Sequence, residues 1–190
     1  MGKIIATEFI TLDGVMEDPG GAEKTKYGGW SGQYWNEEAQ KYKYDELFAT
    51  GALLLGRVTY EGFAAAWPGM TDEDGFADRM NCLPKYVVSE TLNHAAWNNS
   101  TLIKKDMMKQ ISKLKQEAEQ DIVIHGSGEL INTLLPYGVI DEFRLMVFPI
   151  VLGDGKRLFK ETTELNHPKL LETKTFDTGV IVLHYQLERN

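Results

Sequence analysis

From residue 3 to residue 135, short β-branched apolar runs alternate with stretches of helical period, and after residue 135 the alternation stops. This switch constrains the fold more than any single motif does. Lys3–Ile10 (KIIATEFI) reads as a buried first strand, and Ala52–Leu55, Lys85–Ser89, Thr101–Ile103 and Asp121–His125 read as further strands. Between them, Trp35, Ala39 and Tyr42, then Tyr44, Leu47 and Phe48, fall at helical spacing, and Arg57–Ala66 predicts another helix. Met107, Ile111, Leu114 and Ala118 share one face of a third, and Gly128–Leu135 predicts a short helix ended by Pro136 and Gly138. Apolar strands separated by helices imply a mostly parallel twisted sheet covered on both faces. Glu142–Val151, Leu170–Phe176 and Val180–Leu187 are then long strands with no helix of any length between them, and Asp177-Thr178-Gly179 offers a tight turn. The sheet should therefore finish antiparallel. The expectation is a three-layer α/β fold in one domain, residues 1–190, because no repeat, low-complexity tract or Pro-rich linker divides the chain.

Charge and cysteine content narrow the partners. Lys and Arg number 20 against 28 Asp and Glu, a net charge of −8, which repels phosphate backbones and anionic lipid. Nucleic acid and membranes are excluded as expected partners, whereas a small anionic ligand can still be held by local backbone dipoles. Cys82 is the only cysteine, so no internal disulfide is possible and a reducing compartment fits. Met1–Ile5 enters an apolar run directly, without a signal-peptide pattern, and no stretch approaches the roughly 20 apolar residues of a membrane span. A cytoplasmic protein is expected. Neither a metal site nor a serine hydrolase is indicated: His94, His125, His167 and His184 are scattered, and no Gly-x-Ser-x-Gly elbow exists.

Three strand-to-turn junctions carry the candidate chemistry. The first runs from Asp121–His125 through Gly126-Ser127-Gly128 into a helix start. Glycine there permits a tight turn and close backbone approach, and free N–H groups at a helix N-terminus suit a dinucleotide pyrophosphate. The same glycines would also serve a purely structural turn. The second, Ala52–Phe63 (ALLLGRVTYEGF), sets Arg57 for charge-assisted bonds to a phosphate and Thr59 as a hydroxyl donor. Its plain alternative is Thr59 as a helix cap and Arg57 pairing a surface acid. The third ends a strand in Ser89-Glu90-Thr91, where hydroxyls suit ligand contact but are also ordinary turn residues. Trp67, Trp97 and the Met107 stripe read as packing residues.

The order and spacing of these segments, together with Ile10–Met16 (ITLDGVM) and Ile140–Phe159, resemble the dihydrofolate reductase-like family over nearly the whole chain. The resemblance is strongest to the branch containing the reductase domain of the riboflavin-biosynthesis deaminase-reductase, a 5-amino-6-(5-phosphoribosylamino)uracil reductase. It implies a dihydrofolate reductase-like fold, NADPH as cofactor and a small-molecule substrate. By position it implies that Gly56, Arg57, Val58 and Thr59 contact the cofactor's phosphates, that Ser89 and Glu90 lie near its adenosine ribose, and that Gly126, Ser127 and Gly128 underlie the pyrophosphate. His125 leads into that turn, and Glu129 and Leu130 begin the helix behind it. Phe9 and Ile10 would hold the nicotinamide carboxamide through backbone groups, and Asp13 and Met16 would begin a mobile loop that covers it. Asp13 and Glu37 are the candidate proton donors, beside solvent. Departures bear on substrate. A gapless count puts Gln40 where folate reductases keep a carboxylate and Met146 where they keep its threonine partner, and Glu129 stands where an arginine often meets the 2′-phosphate. Hydride transfer to a small heterocyclic or carbonyl substrate is the expected activity. The alternatives are a non-catalytic dinucleotide-binding module of the same fold and a divergent dihydrofolate reductase. A homodimer joined through the C-terminal strands is expected from their apolar runs, Val147–Val151 and Val180–Leu183, the alternative being that Phe159–Lys169 folds back over the sheet.

Overall fold

In the computed structural model, which describes residues 1–160 and 167–188, the apolar runs become eight strands of one sheet. They are β1 (Ile4–Thr11), β2 (Thr50–Gly56), β3 (Lys85–Val88), β4 (Ser100–Ile103), β5 (Asp121–His125), β6 (Glu142–Phe148), β7 (Lys169–Thr175) and β8 (Ile181–Gln186). The spatial order is β4-β3-β2-β5-β1-β6-β8-β7. The first six pair in parallel, and β8 then runs antiparallel to both β6 and β7. This is the mostly parallel sheet with an antiparallel finish that the sequence predicts.

Among the described residues five α-helices cover it: α1 (Glu37–Ala49), α2 (Arg57–Ala66), α3 (Phe76–Cys82), α4 (Met107–Glu117) and α5 (Gly128–Leu134). Alternation along the strands divides the core. Ile4, Ala6, Leu54, Ile122 and Ile124 pack beneath Ile111 of α4 and Leu130, Ile131 and Leu134 of α5. On the opposite face, Leu53, Leu55 and Val87 meet Leu47, Tyr60 and Met80 of α1, α2 and α3, with Trp97 buried among them. Further along that face, Met146, Phe148 and Val182 meet Trp30, Ala39 of α1 and Phe176.

Several boundaries differ from the sequence expectation, each for a local reason. Trp35 stays outside α1, because Asn36 caps the helix by accepting the Ala39 N–H at 2.9 Å. The face α1 buries is Ala39, Lys43, Glu46 and Leu47, while Tyr44 and Phe48 stack on each other with centroids 4.2 Å apart and Phe48 exposed. Helix α3 has no counterpart in the sequence reading; its start is fixed by the Asp72 carboxylate, which accepts the N–H groups of Phe76 and Ala77 at 2.8 and 2.6 Å. Strand β6 ends at Phe148 rather than Val151, as Pro149 has no N–H to continue a ladder. Residues 161–166 of the Phe159–Lys169 segment lie outside the described residues; Phe159 itself packs edge-on to Phe143 at 5.5 Å.

Candidate active site

At the C-terminal end of the parallel strands, two helix N-termini meet. Gly56 ends β2 and caps α2, and Ser127 follows β5 and caps α5, neither giving a side-chain hydrogen bond to its own helix. The first N–H groups of both helices therefore lack intrahelical acceptors, and both macrodipoles present their positive ends. The Ser127 hydroxyl is spent across the gap instead: it accepts the Gly56 N–H at 2.9 Å and donates to Thr59 Oγ1 at 2.7 Å. Thr59 is thus no helix cap but the far end of a staple joining the two junctions. Gly126 and Ser127 both have positive φ, +62° and +68°, so the chain turns through two left-handed residues into α5. A Cβ on Gly56 would lie 2.9 Å from Ser127 Oγ, and one on Gly128 would lie 2.5 Å from the Met16 Sδ. Glycine at these positions lets a neighbour approach the backbone. Two adjacent sets of free backbone N–H groups suit an anion.

Charged side chains frame this cradle. Arg57 and Val58 are exposed at its rim, and Arg57 pairs with Glu61 one turn along α2 at 2.8 Å. Glu129 is also exposed and bridges to Lys160 at 2.6 Å, so a cation accompanies the acid at that place. Leu130 points into the core. Ser89 is buried, and its hydroxyl accepts the N–H groups of Thr91 and Leu92 at 3.2 and 2.9 Å, closing the turn after β3 while Glu90 faces solvent.

The segment after β1 is tied down rather than free-standing. Asp13 accepts the Thr11 hydroxyl at 2.6 Å and the N–H groups of Leu152 and Gly153 at 3.2 and 2.8 Å. The Thr11 hydroxyl bond, ahead of those to the backbone, holds its carboxyl below the usual aspartate range. A carboxylate so engaged is a poor proton donor; Asp13 fastens a loop. Beyond Met16, the chain wraps around buried Asp18, whose carboxylate accepts Glu23 N at 3.0 Å, Thr25 N at 2.9 Å and Thr25 Oγ1 at 3.1 Å. Glu37, the other expected donor, is exposed in the first turn of α1, as is Gln40 a turn later.

The sequence reading missed a buried polar cluster on the α1 side of the sheet. Register places His125, Thr7, Arg144 and His184 side by side on β5, β1, β6 and β8. Over this row, Lys43 of α1 donates to Glu46 in a very short contact and to the Thr7 hydroxyl at 3.2 Å, and Thr7 in turn donates to Glu46 at 3.1 Å. Arg144 reaches Glu46 and Glu142 at 3.7 Å each, and His184 bonds Glu142 at 2.8 Å. Burial penalises ionisation of Glu46, but Lys43, His125 and Arg144 together outweigh that and hold the carboxyl below its ordinary range. Burial, then Lys43, pushes His125 down to about 3, so its imidazole is neutral; its Nε2 and Glu46 Oε1 are buried without a hydrogen-bond partner. On the other face of β1, the buried Glu8 carboxyl is raised well above the usual range by desolvation. Phe9 packs its ring edge-on to Trp35 and tilted against Phe148, at 5.6 and 5.4 Å, while Ile10 lies half-buried on the Glu8 face. No signal short of the tertiary structure marks Lys43 and Glu46, since charges on a helix are ordinarily solvated.

This strand order and these junctions define a dihydrofolate reductase-like fold, and solved structures agree. A Shewanella sp. PV-4 protein provisionally assigned to riboflavin biosynthesis superposes with a TM-score of 0.78 at 21% identity, covering 98% of this chain and 99% of that one. Acinetobacter baumannii RibD gives 0.67 at 16% identity, with 99% of this chain matching 58% of the longer protein. Dihydrofolate reductase from Enterococcus faecalis, in complex with NADP(H), gives 0.58 at 15% identity, covering 99% and 98% of the two chains. Residues 2–182 match the RibD C-terminal domain, and the chain belongs to that family. Its relatives include the uncharacterised Bacillus subtilis (strain 168) proteins YyaP and YwjB. YyaP is 32% identical over 186 residues, 96% of this chain and 94% of its own length. YwjB is 30% identical over 183 residues, with coverages of 96% and 97%.

Proposed function

We propose that this chain is an NADPH-dependent reductase that transfers a hydride to a small heterocyclic or carbonyl substrate, akin to the pyrimidine-precursor reduction of riboflavin biosynthesis. The observation that carries this reading is the pair of helix N-termini stapled by Ser127 to Gly56 and Thr59, a cradle for the cofactor's phosphates. Arg57, Val58, Gly126, Gly128, Glu129 and Lys160 would surround those phosphates, Ser89 and Glu90 would meet the adenosine end, and β1 at Phe9 and Ile10 would hold the nicotinamide end. When bound, the cofactor supplies the hydride; the protein positions donor and acceptor and excludes water. Folate reduction is not part of this proposal, since Gln40 faces solvent and Met146 is fully buried in an apolar cluster. The test is NADPH oxidation, followed by absorbance, against pyrimidinones, pterins and simple carbonyls. Turnover of a pyrimidinone or carbonyl supports the proposal, and rapid turnover of dihydrofolate alone contradicts it.

The same reading makes the protein a cytoplasmic homodimer. Among the described residues no helix is long and apolar enough to cross a membrane. All seven residues of the edge strand β7 are exposed, and Leu170, Ile181 and Phe159 keep 48%, 38% and 44% of their surface accessible. A second copy would cover that apolar surface. Light scattering should give twice the 21.5 kDa of one chain, and a monomer would refute the dimer.

A further inference from the structure

We propose that the buried Lys43–Glu46 pair is the proton source of the reductase, Lys43 Nζ being the donor and Glu46 the residue that positions it. This rests on the nicotinamide-dependent reading above. Hydride addition to a carbonyl or imine carbon moves the π electrons onto oxygen or nitrogen, which then needs a proton. The two acids that the sequence offers are badly placed: Asp13 is ionised and fastened to Leu152 and Gly153, and Glu37 is exposed on α1.

Lys43 is where the landmarks of the site converge. It lies on the inward face of α1, bonded to Thr7 of β1, with its ammonium 5.4 Å from the centroid of the Phe9 ring. The register partner of Thr7 on β5 is His125, the residue that leads into the glycine turn. Thr7 and Glu46 occupy two of the three ammonium donors of Lys43. The neighbouring His125 Nε2 is buried without a hydrogen-bond partner, and Glu46 Oε1 has only Arg144 at 3.7 Å, so both keep bonding capacity for a ligand.

The charge balance also fits. A bound dihydronicotinamide would supply the hydride, with its electron pair, to the substrate carbon. The carbonyl oxygen or imine nitrogen takes a proton from Lys43, whose ammonium becomes an amine, while the nicotinamide ring becomes a cation. One positive charge disappears as another forms, and Glu46, held ionised with Arg144 at 3.7 Å, neutralises first one and then the other. Lys43, whose side chain is 11% exposed, regains its proton from water after the product leaves.

The test compares dissociation constants for NADPH and NADP⁺ by calorimetry, a readout that does not require turnover. Lys43→Met leaves Glu46 unbalanced and should favour the cationic oxidised ring, shifting the ratio of the two constants by about tenfold. Glu46→Gln should shift it in the opposite direction, and Lys43→Arg should leave it near the wild-type value. An unchanged ratio in folded Lys43→Met and Glu46→Gln proteins overturns the proposal, and if Lys43→Met does not fold, Glu46→Gln alone decides. Failure of the wild type to bind either form instead sinks the underlying reading. With a carbonyl acceptor that the wild type reduces, Lys43→Met should lower kcat by roughly 100-fold or more at unchanged KM for NADPH. An unaltered kcat would overturn the assignment.

Discussion

The two faces of β1 are built on opposite principles. Toward α4 and α5, Ile4 and Ala6 join a continuous apolar core, with Glu8 buried in it and the Lys115–Asp141 pair closing its edge at 2.5 Å. Toward α1, Thr7 sits under a lysine, a glutamate and an arginine, beside a histidine kept neutral by burial. Hydrophobic burial explains most of the first face, Glu8 apart, whose carboxyl desolvation keeps protonated. It does not explain the second, because a buried ion pair is seldom more stable than apolar residues of the same size. A face that gives up stability for charge, beside the His125 end of β5, is better understood as a site.

The sharpest way to break this contrast is to exchange the principles. Glu46→Ala should cost about 3–5 kcal/mol, since it strands Lys43 in a buried position. Replacing both partners, Lys43→Met with Glu46→Leu, should recover most of that loss or exceed wild-type stability. On the apolar face, Leu134→Ala should cost about 2–5 kcal/mol, and no second substitution of a polar partner should rescue it. Denaturant unfolding measures all three. A double variant as unstable as Glu46→Ala would show that the pair is structural.

A smaller effect separates the faces by pH. The ordinary histidine value is 6.5, and His125 is held at about 3, so the unfolded chain binds a proton in this interval that the folded chain does not. The contribution of His125 to stability should therefore fall as pH drops below about 6.5, by at most roughly 1.4 kcal/mol per pH unit. Glu8 acts in the opposite sense in this interval, because desolvation keeps a proton on its folded carboxyl that the unfolded chain loses above the ordinary glutamate value, so the histidine effect is read as a difference between proteins. Thermal melts of the wild type and His125→Asn should differ by this slope. An equal slope in both proteins would mean that His125 is not the group responsible.

How much of this was legible in the sequence follows the same division. The β5–glycine turn–α5 unit could be read directly, because an apolar run followed by Gly126 and Gly128 has few local solutions. The antiparallel finish was equally legible from three long strands without helices between them. The Lys43–Glu46 pair was not, since helical periodicity assigns charges outward, and here the inward stripe of α1 includes both. The role of Asp13 was also hidden. Its partners Leu152 and Gly153 are 139 and 140 residues away, and only the folded chain brings them together. Ser127 was placed correctly at the turn, but its hydroxyl turned out to bind Gly56 and Thr59 and so to build the cradle from within.

The central claim is that the two stapled helix N-termini hold a dinucleotide. Calorimetric titration of the wild type with NADPH, set against Arg57→Ala and Gly128→Val, tests it most directly. Arg57→Ala should weaken binding roughly tenfold to a hundredfold, the loss expected for a hydrogen bond to a charged group. Gly128→Val should abolish binding while thermal stability of the free protein stays nearly unchanged, because the added side chain meets only the flexible end of Met16, whose sulfur lies 2.5 Å from the Cβ position. Wild-type affinity in both variants, with the fold intact, would contradict the account.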